Sequence, residues 1–284
     1  MSKSYFIVGG NGQLGKALTQ HYPLATVVGR AEFDVTNPNS YELIDWSQYD
    51  TIINAAGMTD VDGAETSKGR ELAWSVNASA AALMAATATK HSLTLMHISS
   101  DYVFDGTKAE HSEDEPFTPL STYGQSKTAG DIAASVVKKH YILRTSWVIG
   151  DGTNFISVMR SLARKGVSPK VVNDQIGRLT FTSTLTNAID HLLSTTPVYG
   201  TYNCTNGGDS VSWADIAKLV FEKAGRNTTD VTNVTTQEYY ASKDNFAARP
   251  LQSTLSLKKI ENTGFIASDW RDELNVYWDR MEEL

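Results

Sequence analysis

Seven of the first fifteen residues leave little choice of fold: Gly9-Gly10-Asn11-Gly12-Gln13-Leu14-Gly15. They follow a short apolar run at 5–8 and open a stretch with helical spacing. Glycine at such a turn lets the backbone approach a ligand closely. The helix start beyond it offers free N–H groups and a partial positive charge, a combination that suits a pyrophosphate. A glycine motif alone says little. Set between an N-terminal strand and a helix, it reads as the first βα turn of a dinucleotide-binding fold. Gly9, Asn11, Gly12, Gln13, Leu14 and Gly15 are therefore candidate cofactor contacts.

The rest of the first half agrees with that reading. Short β-branched runs predict strands over 5–8, 25–28, 51–54, 93–98 and 141–144, and amphipathic spacing predicts helices over 12–21, 40–46, 71–91 and 123–139. Alternation of this kind specifies a parallel, doubly wound sheet. The run Thr51-Ile52-Ile53-Asn54 does not alternate, as expected of a strand covered on both faces. After about residue 150 the pattern loosens. Helices are expected over 154–164, 183–194, 212–224 and 269–281, with strands over 170–172 and 201–204. The expected fold class is thus α/β: a Rossmann-type doubly wound sheet at 1–150 that binds NADP(H), then a smaller α+β substrate domain at 151–284. Some segments of the second part are expected to return to the first. The acidic stretch 108–119, with two prolines, reads as an exposed loop.

Composition removes several alternatives. The formal net charge is −7, whereas nucleic-acid binding needs a basic face. Cys204 is the one cysteine, so neither an internal disulfide nor a cysteine metal cluster can form. The six histidines show no metal-ligand spacing, and no metal is expected. His97 reads as a hydrogen-bonded core residue. The N-terminal apolar run is too short for a signal peptide, and no run approaches the roughly 20 residues of a membrane span. The expectation is a cytoplasmic enzyme.

The second strand ends at Val28-Gly29-Arg30. An acidic residue there would grip the ribose 2′-hydroxyl of NAD, whereas Arg30 suits the 2′-phosphate of NADPH. NADH stays open as the alternative. Asp34 and Val35 follow as candidates for the adenine pocket. Ala55, Ala56, Gly57 and Thr59, after the third strand, are small enough for a cofactor to lie near the backbone.

Tyr123 and Lys127 stand four residues apart at a helix start and share a face. A free phenol titrates near 10, too high for acid–base work at neutral pH. A neighbouring lysine cation is expected to lower it. Ser100, ending the fourth strand, can hydrogen-bond and polarise a carbonyl oxygen. The spacing alone is not selective, since Tyr239 and Lys243 repeat it. Chain order selects Tyr123: glycine turn, small-residue strand end, serine strand end, then Tyr-x-x-x-Lys.

At this point the sequence resembles a known family. The blocks are Asn54-Ala55-Ala56, Ser99-Ser100-Asp101-Tyr102-Val103-Phe104-Asp105-Gly106, Tyr123-Gly124-Gln125-Ser126-Lys127, Arg144-Thr145-Ser146-Trp147 and Arg249-Pro250-Leu251-Gln252-Ser253. Together they are similar to the dTDP-4-dehydrorhamnose reductases, a family of extended short-chain dehydrogenase/reductases. The resemblance implies NADPH-dependent reduction of the C4 keto group of a dTDP-linked 4-keto-6-deoxysugar. Tyr123 would be the proton donor, Lys127 its electrostatic partner and Ser100 a contact to the carbonyl. Asp101, Tyr102 and Trp147 would line the sugar–nucleotide site, and Asn154 and Arg249 would contact the diphosphate. Core packing for Trp147 and a structural ion pair for Arg249 are the alternative readings. Arg178-Leu179 departs from the Ser-Pro common in the family. The implied partners are the nucleotide sugar and either a second copy or a 3,5-epimerase. A reductase of another 4-ketosugar nucleotide, or a non-catalytic NADP-binding regulatory subunit, stays open.

Overall fold

The computed structural model describes residues 4–241 and 246–283. Its centre is a six-stranded parallel sheet. Five strands come from the first half: β1 (Tyr5–Val8), β2 (Thr26–Val28), β3 (Thr51–Asn54), β4 (Thr94–Ser100) and β5 (His140–Thr145). The sixth, Gly200–Asn203, comes from the second half and pairs with β5. Across the sheet the order runs Gly200–Asn203, β5, β4, β3, β1, β2. This is a Rossmann arrangement. The winding reverses between β1 and β3, and the crevice at that reversal is where such sheets hold ligands.

The apolar runs do not alternate because both sheet faces are covered. Phe6, Val8 and Ile52 point to one side, among Trp46, Met84 and Ala88. Ile7, Ile53 and Met96 point to the other, among Leu18, Ile189 and Leu192. The helices Ala80–His91 and Thr122–Ser135 cover the first face. Gln13–His21 and Thr182–Thr195 cover the second, so a helix of the second half completes the first half's core.

Several element boundaries differ from expectation for local reasons. The helix expected over 40–46 is a short one at Pro38–Glu42, capped by Asn37, and a 3₁₀ turn at Trp46–Gln48, capped by Asp45. Each cap side chain accepts a backbone N–H and so fixes a helix start. The long helix begins at Ser67, capped by Thr66, and contains a π-helical turn at Trp74–Ser79. That turn carries Asn77 inward, where it is 1% exposed. The helix Thr122–Ser135 ends at Ser135 rather than 139. The acidic loop at 108–119 is anchored, not free. His111 is fully buried and its N–H donates to the carbonyl of Thr254, while the Glu113 carboxylate accepts from the Asn203 N–H.

The second half adds its own apolar cluster. Helices Phe155–Arg164, Trp213–Lys223 and Trp270–Glu283 enclose Ile156, Phe221 and Trp270. Three two-stranded ladders accompany them, pairing Lys170–Val172 with Thr232–Val234, Val148–Ile149 with Thr180–Phe181, and Ile176–Gly177 with Val211–Ser212. Among the described residues no helix is long and apolar enough to cross a membrane.

The seat of helix Thr122–Ser135 depends on Gly130. A Cβ there would lie 2.3 Å from the Asn77 carbonyl oxygen and 3.3 Å from His97 Nε2. Gly130→Ala gains helix propensity of up to about 1 kcal/mol, which the overlap outweighs. A net loss of about 1–3 kcal/mol is expected, read as a lower urea midpoint. Unchanged stability would show that the two helices separate freely.

Candidate active site

The C-terminal ends of β1, β3, β4 and β5 converge at the winding reversal. The glycine turn is held there by contacts that only glycine permits. Gly9 has φ +87°, and a Cβ on it would lie 2.5 Å from the Ala56 nitrogen. A Cβ on Gly15 would lie 2.1 Å from the Gly9 carbonyl oxygen. Gly12 caps the following helix without a side-chain acceptor, so that helix start keeps free N–H groups.

Two joined cavities run over this turn. One, of about 280 Å³, is bounded by Gly9, Asn11, Arg30, Asp34 and Val35. The other, of about 440 Å³, is bounded by Gln13, Leu14, Thr59, Ser100, Asp101, Tyr102, Tyr123, Lys127 and Trp147. Gly12, Ala55, Ala56, Gly57 and Met58 line both. An extended groove with bare helix N–H groups at its middle and a cation at one end fits a nicotinamide dinucleotide phosphate. Gly15 lines neither cavity and acts through helix packing. Gln13 also reaches across, accepting a hydrogen bond from the Gly150 N–H at 2.7 Å. Asp34 is engaged within its own turn, accepting from the Thr36 N–H and hydroxyl at 2.9 and 2.7 Å. Those bonds hold its carboxyl below the usual range. A separate cavity of about 400 Å³, between helices Gln13–His21, Thr182–Thr195 and Trp270–Glu283, holds none of the acid–base groups.

Ser100, Tyr123 and Lys127 are almost wholly buried. Tyr123 enters the cleft from the start of helix Thr122–Ser135, which is capped by Ser121. The Glu65 carboxylate also accepts from the Thr122 N–H and hydroxyl, at 2.8 and 3.0 Å. The Tyr123 ring meets Tyr102 edge-on at 5.3 Å. Burial pushes its phenol up to about 12, opposed by Ser100. The lowering expected from Lys127 is absent in the isolated chain. The lysine amine donates instead to the Ile98 carbonyl at 2.7 Å, and burial pulls it down to about 8. The phenol therefore keeps its proton. The Ser100 hydroxyl accepts from the Tyr102 N–H and donates to Asp101 Oδ1 at 3.1 Å. Burial raises the Asp101 carboxyl to about 6, opposed by Ser253 and Ser100.

Trp147 does two things. Its indole stacks on Trp213 at 3.7 Å between centroids, and it also borders the cleft. Its φ of +48° is a left-handed conformation that costs a non-glycine residue of order 1–3 kcal/mol. Asn154 lies in neither cavity. It caps helix Phe155–Arg164, and its Nδ2 donates to the Gly150 carbonyl and the Tyr277 hydroxyl at 2.7 and 2.8 Å. Arg249 is engaged in the ion pair of its alternative reading, with Nη1 and Nη2 on the two Asp62 oxygens at 2.9 and 2.7 Å. It borders a further cavity of about 190 Å³ with Trp213, Gln175, Tyr239 and Tyr240. Arg178 donates to the Leu255 carbonyl and lines no part of the cleft. Lys243, of the second Tyr-x-x-x-Lys, lies outside the described residues.

Sequence reasoning missed Asn77. Its side chain accepts from the Met58 N–H at 2.9 Å and donates to the Met58 carbonyl and Ser126 hydroxyl at 3.1 and 3.0 Å. It thereby ties the cofactor loop to the catalytic helix. An asparagine within an alanine-rich helical stretch was the available signal. Leu72 and Val76, one turn apart beside the outer cavity, were also missed. Among the described residues no group of three or more His, Cys, Asp or Glu is placed to hold a metal.

Comparison with known proteins agrees with this geometry. A family model described as "RmlD substrate binding domain" matches residues 3–283. A dTDP-4-dehydrorhamnose reductase of Aggregatibacter actinomycetemcomitans is 35% identical, across 94% of this chain and 96% of its own length. The dTDP-4-dehydrorhamnose reductase of Salmonella typhimurium is 34% identical, across 95% and 94%. The solved dTDP-4-dehydrorhamnose reductase of Bacillus anthracis, in complex with NADP, superimposes with a TM-score of 0.90 at 32% identity, covering 99% of this chain and 100% of that one. With the sheet, the glycine turn and full-length similarity in agreement, the chain belongs to the dTDP-4-dehydrorhamnose reductase family.

Proposed function

We propose that this protein uses NADPH to reduce the C4 keto group of dTDP-4-dehydro-L-rhamnose, giving dTDP-L-rhamnose. The carrying observation is the placement of Ser100, Tyr123 and Lys127, buried together in a cleft continuous with the dinucleotide groove. Family membership specifies the substrate. On this reading 1–150 carry the cofactor and the residues around the keto group, and 151–284 complete the sugar-nucleotide site, with helix Thr182–Thr195 and strand Gly200–Asn203 returned to the first part.

The bound nicotinamide supplies a hydride to the C4 carbon. This chain's residues handle the oxygen and its proton. Ser100 donates a hydrogen bond to the carbonyl oxygen, which requires its hydroxyl to turn from Asp101. Tyr123 gives its phenolic proton to the same oxygen, so that carbonyl, hydride and proton become an alcohol. The phenolate left behind is stabilised by the Lys127 cation until solvent returns the proton. A phenol that stays protonated in the resting protein is ready for this donation. Trp147 and Tyr102 flank the sugar. The nucleotide extends toward Arg249, along the cavity bordered by Trp213 and Tyr240. We place the enzyme in the cytoplasm, a reducing compartment compatible with its single buried thiol.

The direct test is NADPH oxidation with dTDP-4-dehydro-L-rhamnose, with the product identified by NMR. Formation of dTDP-L-rhamnose is expected. Turnover only with a different ketosugar nucleotide would replace the substrate, and NADPH binding without any turnover would favour a regulatory subunit. Tyr123→Phe is expected to lower the chemical rate about 100-fold or more, with cofactor affinity retained. Single-turnover absorbance and cofactor-fluorescence titration measure the two effects, and near-normal turnover would remove Tyr123 from its role. Arg30→Asp is expected to weaken NADPH relative to NADH by about tenfold or more, the scale of a lost charged hydrogen bond. Equal losses for both cofactors would take Arg30 away from the 2′-phosphate.

A further inference from the structure

Four ionisable side chains lie packed behind the reacting groups, between β4, β5 and the catalytic helix. His97, Lys127, Asp131 and Arg144 are between 1% and 5% exposed. Arg144 Nε donates to Asp131 Oδ2 at 3.0 Å, and Nη1 donates to the Glu113 carbonyl at 3.0 Å. The guanidinium also lies over Phe104 and Phe117, at 5.3 and 4.9 Å from the ring centres.

The state of His97 follows from its neighbours. Asn54 Oδ1 accepts from the Ala56 N–H at 3.1 Å, so the amide nitrogen of Asn54 is the group facing His97 Nδ1 at 3.0 Å. Nδ1 is therefore an acceptor, and the proton of the neutral ring sits on Nε2. Burial, aided by Lys127, holds His97 well below its ordinary range, so the ring is uncharged. Its Nε2 points at Asp131 Oδ1 from 3.8 Å. Neither atom has another hydrogen-bond partner.

The charges in this core are thus two cations, Lys127 and Arg144, and one anion, Asp131. Asp131 stands one helical turn beyond Lys127 and acts on it through space, while its carboxylate binds Arg144. All groups facing that carboxylate are accounted for: His97 and Ser99 from β4, Arg144 from β5, and Lys127 and Tyr123 from its own helix. Burial raises Asp131, and Arg144, Ser99 and Lys127 oppose that rise.

We propose that Asp131 is a positioning residue for the reduction: it is the buried counter-ion that keeps Lys127 a cation beside Tyr123, and Arg144 limits its strength by sharing it. The cluster of Lys127, Arg144 and Asp131 behind the phenol then carries one net positive charge, which the phenolate neutralises when it forms. This is an electrostatic setting made in advance for the charge that develops. Exposed helical ion pairs of the same spacing are worth little. This one is different because both groups are almost wholly buried, where charges are weakly screened. The inference rests on Tyr123 as the proton donor, and its test is readable without the reaction.

The test follows the Lys127 side chain by NMR across pH in the unliganded protein, alongside the upper pH limit of turnover. Removing the anion and removing the competing cation should move Lys127 in opposite directions. Asp131→Asn leaves two buried cations, so Lys127 loses its proton about one pH unit or more earlier. Arg144→Met leaves Asp131 to Lys127 alone, so the lysine keeps its proton to higher pH by a similar amount. The upper limit of turnover moves with each, and Asp131→Glu restores it. A merely structural ion pair predicts lower stability in both variants with no opposed titration shifts, and that result overturns the proposal. Arg144→Met carries the test by itself if Asp131→Asn does not fold: a Lys127 midpoint that stays or falls is then decisive against it. Inactivity toward the sugar nucleotide with opposed NMR shifts would count against the proposed reaction and leave the counter-ion role standing.

Discussion

The approach of the first helix to the glycine turn constrains everything built above it. Gly15 sits where any Cβ would overlap the Gly9 carbonyl, and Gly9 where any Cβ would overlap the backbone of Ala55 and Ala56. Three chain segments therefore meet as bare backbone at the point where β1 and β3 part. This closeness leaves the helix N–H groups unscreened at the centre of the groove. It also fixes how far β3 lies from the turn, and hence where the loop carrying Ala56, Gly57 and Met58 can run. Asn77 then anchors that loop to the helix carrying Tyr123 and Lys127. Cofactor site and catalytic helix share one frame for this reason.

A second layer of the argument is electrostatic. A lysine, a phenol and a carboxylate are buried within one cleft. Burial works against the lysine cation and the carboxylate and works for the neutral phenol. The resting site is consequently biased toward holding the proton on Tyr123. The lysine amine is held by the Ile98 carbonyl at the edge of β4. Both ends of that arrangement are set by strand register: β4 pairs with β5 from Leu95 to Ser100, which puts Arg144 opposite Ser99 and Thr145 opposite Ser100.

Much of the fold was legible because its signals are local. The strands of the first half are short apolar runs, and their failure to alternate already indicated cover on both faces. The glycine turn, Arg30, Ser100, Tyr123 and Lys127 could be picked out by residue type and order along the chain. Boundaries were less legible where a cap or a π-helical turn decided them, as at Thr66 and Trp74–Ser79. A single cap hydrogen bond or an extra residue in one turn leaves almost no trace in hydrophobic periodicity. The loop at 108–119 lies largely at the surface, as read, but its anchoring was not legible for a related reason. Its composition is that of a solvated loop, but one histidine and one glutamate tie it to the core.

The sequence by itself determined the class of fold and singled out the glycine turn and the candidates Ser100, Tyr123 and Lys127, because each rests on residue chemistry within a few positions of a turn or helix start. Only the tertiary structure decided that Gly200–Asn203 completes the first sheet, that Asn154 and Arg249 are held by Tyr277 and Asp62, and that Trp147 stacks on Trp213 while bordering the cleft. It alone brought Asp131, Arg144 and His97 into one buried cluster. These pairings join residues from 13 to 187 positions apart. Their energies depend on exclusion of water and on register between strands, which residue order does not record.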